Sequence, residues 1–256
     1  MPWSMSVAES MADIIMSSGT KYFGGHSDLL SGVLVVKSVQ EWKELWHIRT
    51  YTGCVMGSLE SWLMLRSLRT FHVRIPQQSA TATSLAEWLV KVSKIPPGQS
   101  WDGVSGGIIH SVKHASLQPQ PFVKKQLPKL YPATFAFLLA SEDLASQLPH
   151  LLRIITVSDL LCWRWLELTH DQPATSLGGI ESLIEQRYKA DGVTDPRLLR
   201  LSVGLEGLED LKQDIRQGIN TLAKVSCSSA PFSLSVETEL LYSARLNCSD
   251  IYTCVL

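Results

Sequence analysis

Two short apolar runs stand near the start of the chain, residues 12–16 and 33–36. Each is bounded by Ser or Gly and reads as a brief buried strand, with a polar, Gly-rich loop between them. Over residues 38–48 the period becomes helical. Trp42, Leu45 and Trp46 fall on one stripe, which predicts core packing, and Ser38 stands where an N-cap belongs. Residues 58–73 repeat the pattern through Leu59, Trp62, Leu63, Leu65 and Leu68, and residues 80–92 predict a separate helix. Pro96-Pro97-Gly98 stops that helix, and the Gly-rich stretch 101–107 reads as a loop. Beyond it the pattern predicts strands over 108–112, 135–139 and 198–203, and helices over 142–152, 181–189 and 208–222. Strands and helices alternate without an internal repeat, so the fold class is α/β.

With 256 residues, 45% hydrophobic and 18% charged, the chain can bury a sizeable core and reads as a soluble globular protein. Its 23 basic and 24 acidic residues leave a formal charge of -1, which draws it neither to nucleic acid nor to an anionic membrane surface. No apolar run approaches the roughly 18 residues of a membrane span, and the first ten residues lack the pattern of a signal peptide, so the expected location is cytoplasmic. Cys54, Cys162, Cys227, Cys248 and Cys254 are odd in number and scattered, which points to neither a disulfide framework nor a zinc site. His110 and His114 share a four-residue spacing but lack a third ligand, so no metal is expected.

Candidate chemistry concentrates in Ser17-Ser18-Gly19-Thr20-Lys21-Tyr22-Phe23-Gly24-Gly25-His26-Ser27-Asp28. A carbonyl cofactor needs an amine able to form a Schiff base, donors for its phosphate, and small residues where the backbone comes close. Lys21 supplies the amine, with Ser18 and Thr20 beside it. A nucleotide P-loop is excluded by order, because Lys21 precedes the glycine pair.

This segment resembles the pyridoxal-phosphate (PLP) lysine motif of the Cys/Met metabolism enzymes, the trans-sulfuration family of cystathionine gamma-synthase, cystathionine lyases and O-acylhomoserine sulfhydrylases. The family pattern is close to S-x-T-K-Y-x-x-G-H-S-D. Ser18, Thr20, Lys21, Tyr22, Gly25, His26, Ser27 and Asp28 fill every fixed position. Ser176-Leu177-Gly178-Gly179-Ile180-Glu181-Ser182-Leu183 is similar to the family's SLGGxESL segment. Leu199-Arg200-Leu201-Ser202-Val203-Gly204-Leu205-Glu206 is similar to its R-[LI]-S-x-G-[IL]-E strand. Fainter likeness covers most of residues 12–218.

The resemblance implies a partial fold-type I PLP-dependent transferase of the aminotransferase-like kind. Residues 1–75 would end the large cofactor domain and residues 76–224 would form a small C-terminal α/β domain. Lys21 would carry the cofactor and shuttle protons, Ser18 and Thr20 would bind its phosphate, Arg200 would clamp the substrate carboxylate, and Ser176 and Leu177 would line the pocket. His26 would orient the loop, and Arg66 and Arg69 would serve the structure near the domain hinge. The activity implied is γ-replacement or C–S elimination on O-acylhomoserine- or cystathionine-type amino acids, most like fungal cystathionine gamma-synthase-type proteins. A homo-oligomer, dimer or tetramer, is also implied. Synthase, γ-lyase, β-lyase and sulfhydrylase stay open, as does a catalytically inert member with a binding or subunit-association role.

Against the family pattern, the expected reading is an N-terminally shortened member. The phosphate loop, the ring stacked on the cofactor and the acid paired with its pyridine nitrogen are not found before Lys21. Residues 157–172 interrupt the pattern and read as a translated intron, and residues 225–256 form an atypical tail.

Overall fold

The computed structural model describes residues 12–157 and 178–227. The first two apolar runs form an antiparallel ribbon, β1 (Ile14–Ser18) and β2 (Gly32–Val36), with Ile14 opposite Val36 and Ser18 opposite Gly32. The lysine segment is the connection between them. Burial of these strands does not follow as expected, since Ile14, Met16 and Leu34 are exposed. The ribbon's main neighbours among the described elements are its own loop and the helix that follows, which leave one side open.

That helix, α1 (Val39–Thr52), begins as the sequence predicts. Ser38 Oγ accepts the Glu41 N–H at 3.2 Å, while the Glu41 carboxylate accepts the Ser38 N–H at 2.9 Å, a reciprocal capping box. The expected core role of Trp42 and Trp46 is overturned, because they are 55% and 45% exposed and α1 has no buried residue. Helical spacing gathers apolar side chains on one face; it does not supply anything to cover them.

The two helices expected over 58–73 and 80–92 are one, α2 (Ser58–Ser93), 36 residues long. Arg74, Ile75, Gln78 and Ser79 carry its buried stripe through the intervening residues, and Pro76 is tolerated on the exposed side. Pro96-Pro97-Gly98 follows its end, as predicted. A two-residue hairpin then occupies the stretch read as loop, β3 (Ser100–Trp101) with β4 (Val104–Ser105).

The remaining elements are β5 (Ile109–Lys113), α3 (Pro121–Gln126), β6 (Thr134–Leu139), α4 (Glu142–Leu151), β7 (Thr156–Val157), β8 (Leu183–Gln186), α5 (Arg187–Asp191), β9 (Leu198–Ser202) and α6 (Leu208–Cys227). They build a five-stranded sheet of order β5-β6-β9-β8-β7, antiparallel except for β7 beside β8. The helix expected over 181–189 is largely strand β8, followed by the single turn of α5. All four β8 residues are buried, and a fully buried run shows no alternation by which its period could be read. Of the expected insertion only Val157 lies within the described residues, and the tail beyond Cys227 lies outside them.

Strand alternation sorts the sheet into two faces. Phe135, Phe137, Leu139, Leu199 and Leu201 turn to the core, which is closed by Leu85 and Leu89 of α2, Leu148 of α4, and Leu211, Ile215 and Ile219 of α6. Each such fully buried aliphatic side chain contributes about 2 kcal/mol. The opposite face is more polar. There Thr134 pairs in register with Ser202, and Arg200 stands between Ala136 and Glu185.

Candidate functional site

The turn Gly19–Phe23 carries Lys21 and is held from several sides. The Gly19 and Thr20 N–H groups donate to Ser31 O at 2.7 and 3.3 Å, and the Ser31 N–H donates to Thr20 Oγ1 at 3.1 Å. Gly24 N–H closes on Gly19 O and Gly25 N–H on Lys21 O, both at 2.7 Å. Ser18 lies exposed where β1 enters the turn.

Beneath the turn sits Arg74, 3% exposed. Its guanidinium donates to the carbonyls of Tyr22 (3.0 Å), Phe23 (3.4 Å) and Ser67 (3.2 Å), and its Nε donates to Thr70 Oγ1 at 3.1 Å. Gly25 has φ +72°, and a Cβ there would overlap the Arg74 guanidinium, so two separate reasons demand glycine. His26 Nδ1 is 2.8 Å from Gly24 O and 3.2 Å from Ser67 Oγ, which matches the expectation that it orients the loop.

Tyr22 joins the loop to the sheet. Its hydroxyl lies 3.3 Å from Thr134 Oγ1, and Thr134 donates on to Ser202 Oγ at 3.4 Å. Burial raises the pKa of the phenol, with the Thr134 hydrogen bond opposing. Gly178 lies against the Tyr22 ring, where a Cβ would come within 2.9 Å of a ring carbon. The Gly178 N–H donates to Ser202 Oγ at 3.1 Å. The second and third sequence motifs are also tied directly together, through Ser182 N–H to the Glu206 carboxylate at 2.7 Å and Gly204 N–H to Ser182 Oγ at 2.9 Å.

Arg200, 179 positions beyond Lys21 in sequence, stands on the sheet face that the lysine turn meets through Tyr22 and Thr134. The Lys21 pKa is lowered, first by burial and then by the charge of Arg200. Arg200 makes an ion pair with Glu185 through Nη2, while its Nε is buried with no hydrogen-bond partner among the described residues. Ser176 and Leu177 lie outside the described residues, which resume at Gly178. Arg66 and Arg69 are exposed on α2. His114 is buried, with Nε2 2.9 Å from Pro132 O and Nδ1 2.7 Å from Ser116 Oγ.

The donor set fits a cofactor with an aldehyde, a phosphate and a bound amino acid. Lys21 offers an amine that sheds its proton more readily than an ordinary lysine. Thr20 keeps its hydroxyl hydrogen while its oxygen accepts from Ser31, and Ser18 offers a second hydroxyl. The unsatisfied Arg200 Nε is the kind of buried donor that a carboxylate completes.

Arg74, Gln78 and Glu185 were not singled out from the sequence. A signal existed for the first two, since Met64, Ser67, Arg74, Ile75 and Gln78 keep helical spacing along one side of α2. For Glu185 there was none, because its partner is set by strand register.

A family model described as Cys/Met metabolism PLP-dependent enzyme matches residues 2–220. Among curated proteins, a cystathionine beta-lyase of Lactococcus lactis subsp. cremoris strain MG1363 is 29% identical over 219 residues, covering 81% of this chain and 50% of the relative. A cystathionine gamma-synthase/O-acetylhomoserine (thiol)-lyase of Bacillus subtilis strain 168 is 31% identical over 224 residues, covering 81% and 47%. The crystal structure of an apo methionine gamma lyase from Micromonospora echinospora superposes with a TM-score of 0.63 at 27% identity, over 81% of this chain and 50% of that one. The chain thus spans about half the length of the curated relatives it matches.

Proposed function

The chain belongs to the Cys/Met metabolism family of PLP-dependent enzymes, and from that premise we propose that it acts in trans-sulfuration on O-acylhomoserine- or cystathionine-type amino acids, by γ-replacement or C–S elimination. The observation that carries this reading is the meeting of the Lys21 turn, through Tyr22 and Thr134, with the sheet face that bears Arg200, and the lowered pKa of Lys21 suits an amine that must lose its proton.

Pyridoxal phosphate supplies the carbonyl that captures amino groups and the ring that takes up electrons released at the substrate α carbon. Lys21 Nζ would be its attachment point, and the same nitrogen, when unprotonated, would take and return the protons of the substrate's α and β carbons, work that a fully protonated amine cannot begin. The hydroxyls of Ser18 and Thr20 donate to the phosphate, and Ser176 and Leu177 line the pocket. Arg200 would hold the substrate carboxylate, fixing which bond at the α carbon faces Lys21. Residues 1–75 serve as part of the cofactor domain and residues 76–224 as the small domain, in a cytoplasmic homo-oligomer.

A second reading is favoured by one observation. Met16, Leu34, Trp42, Trp46 and Trp62 are all exposed, and apolar surface on that scale suits subunit association without catalysis. Incubating the purified chain with pyridoxal phosphate and recording visible absorbance separates the two, with borohydride reduction and peptide mapping to locate the adduct. We expect absorbance and a pyridoxyl group on Lys21, both lost in Lys21→Ala, together with turnover of cystathionine or an O-acylhomoserine. Folded protein that stays unlabelled at Lys21 overturns the cofactor assignment. An adduct without turnover supports the association reading instead.

A further inference from the structure

Glu185 is a carboxylate that the reading above does not use, yet its side chain is only 2% exposed. It stands directly opposite Arg200 across the β8–β9 ladder, so both side chains leave the same face of the sheet, the face that also carries Thr134 and Ser202. That face meets the lysine turn through Tyr22 and Thr134. Glu185 holds Nη2 of Arg200, and its other oxygen accepts from Arg187 at 3.3 Å. Arg187 is in turn shared with Asp191 at 3.2 Å. A carboxylate buried this deeply is held in place by its cations, and it holds them in return. Within this arrangement one donor of Arg200 is fastened, and Nε is buried and unmatched.

We propose that Glu185 is a positioning residue for Arg200: by fastening one terminal nitrogen of the guanidinium, it fixes the plane of the group and leaves its remaining N–H donors for the carboxylate of an amino-acid substrate. The proposal rests on the reading of Arg200 as a carboxylate clamp. A long arginine side chain loses considerable rotamer freedom on binding a ligand. Holding it beforehand transfers that cost to folding, and affinity for the carboxylate rises accordingly.

The test is calorimetric titration of the full chain, loaded with pyridoxal phosphate, with L-methionine and with 3-(methylthio)propylamine, the same molecule without its carboxylate. Wild type should prefer methionine. Glu185→Gln, which keeps the shape and removes the charge, should weaken methionine binding about tenfold, leave the amine unchanged, and be partly rescued by Glu185→Asp. Arg200→Lys should abolish the preference. If wild type and Arg200→Lys show the same preference, the clamp reading itself fails, whatever Glu185 does. If Arg200→Lys loses the preference while Glu185→Gln keeps it in full, or binds methionine more tightly, the clamp stands and the role of Glu185 is overturned. Equal weakening toward both probes marks a general packing defect and also overturns it.

Discussion

Lys21 differs from the surface lysines of this chain in what surrounds it. Partial burial and the nearby Arg200 charge both disfavour the ammonium form, burial more strongly. The sign follows directly: with its pKa lowered, Lys21 becomes neutral at a pH below the ordinary lysine value of 10.5. Amine acylation followed by mass spectrometry across a pH series should therefore give Lys21 a labelling midpoint under that value. Arg200→Gln should move the midpoint upward, since one of the two causes is then removed. A Lys21 midpoint at or above the ordinary value would contradict the arrangement around it. At this scale the motifs singled out Lys21, Ser18, Thr20 and Arg200 as candidates, because a motif records residue identity. Arg74 and Glu185 were not among them. Arg74 supports carbonyls about 50 residues away, and Glu185 meets its arginine only through the pairing of two strands, which neither composition nor local spacing encodes.

Elements with a clear local period were readable, and those governed by burial or surroundings were not. The Ser38 capping box and the start of α1 follow from four consecutive residues. Strands β5, β6 and β9 match their predicted positions within a residue or two. By contrast β8, buried on both faces, was taken for helix, and α2 was read as two helices, over 58–73 and 80–92, with Pro76 lying in the gap between them. Pro76 lacks an N–H and so removes one intrahelical bond, yet on the exposed side water can satisfy the released carbonyl. Pro76→Ala should restore that bond and stabilise the chain by about 1–3 kcal/mol, measured as a higher urea midpoint with unchanged slope. A fall in the midpoint would show instead that a local bend at Pro76 is needed for α2 to reach both ends of its contacts.

At the scale of the whole molecule the two halves of the chain are unevenly covered. From β5 onward the helices close a continuous core, while Trp42, Trp46, Leu59 and Trp62 on α1 and the first turns of α2 stay open. The apolar stripe was visible in the sequence, but whether a stripe is covered depends on what lies beside it. An apolar fluorescent dye should bind the native chain, and the double substitution Trp42→Glu with Trp62→Glu should remove most of that signal while leaving the thermal midpoint nearly unchanged. Retention of the full signal would place the dye elsewhere.

Arg74 and Gln78 are four residues apart on α2. The first grips the Tyr22 and Phe23 carbonyls just after Lys21, and the second donates to Gly179 O at 2.5 Å and to Val203 O at 3.3 Å, the latter three residues past Arg200. One turn of α2 thus braces two places at once, the backbone just past Lys21 and the end of the strand that bears Arg200, so a substitution that disturbs this turn reaches both through the same rod.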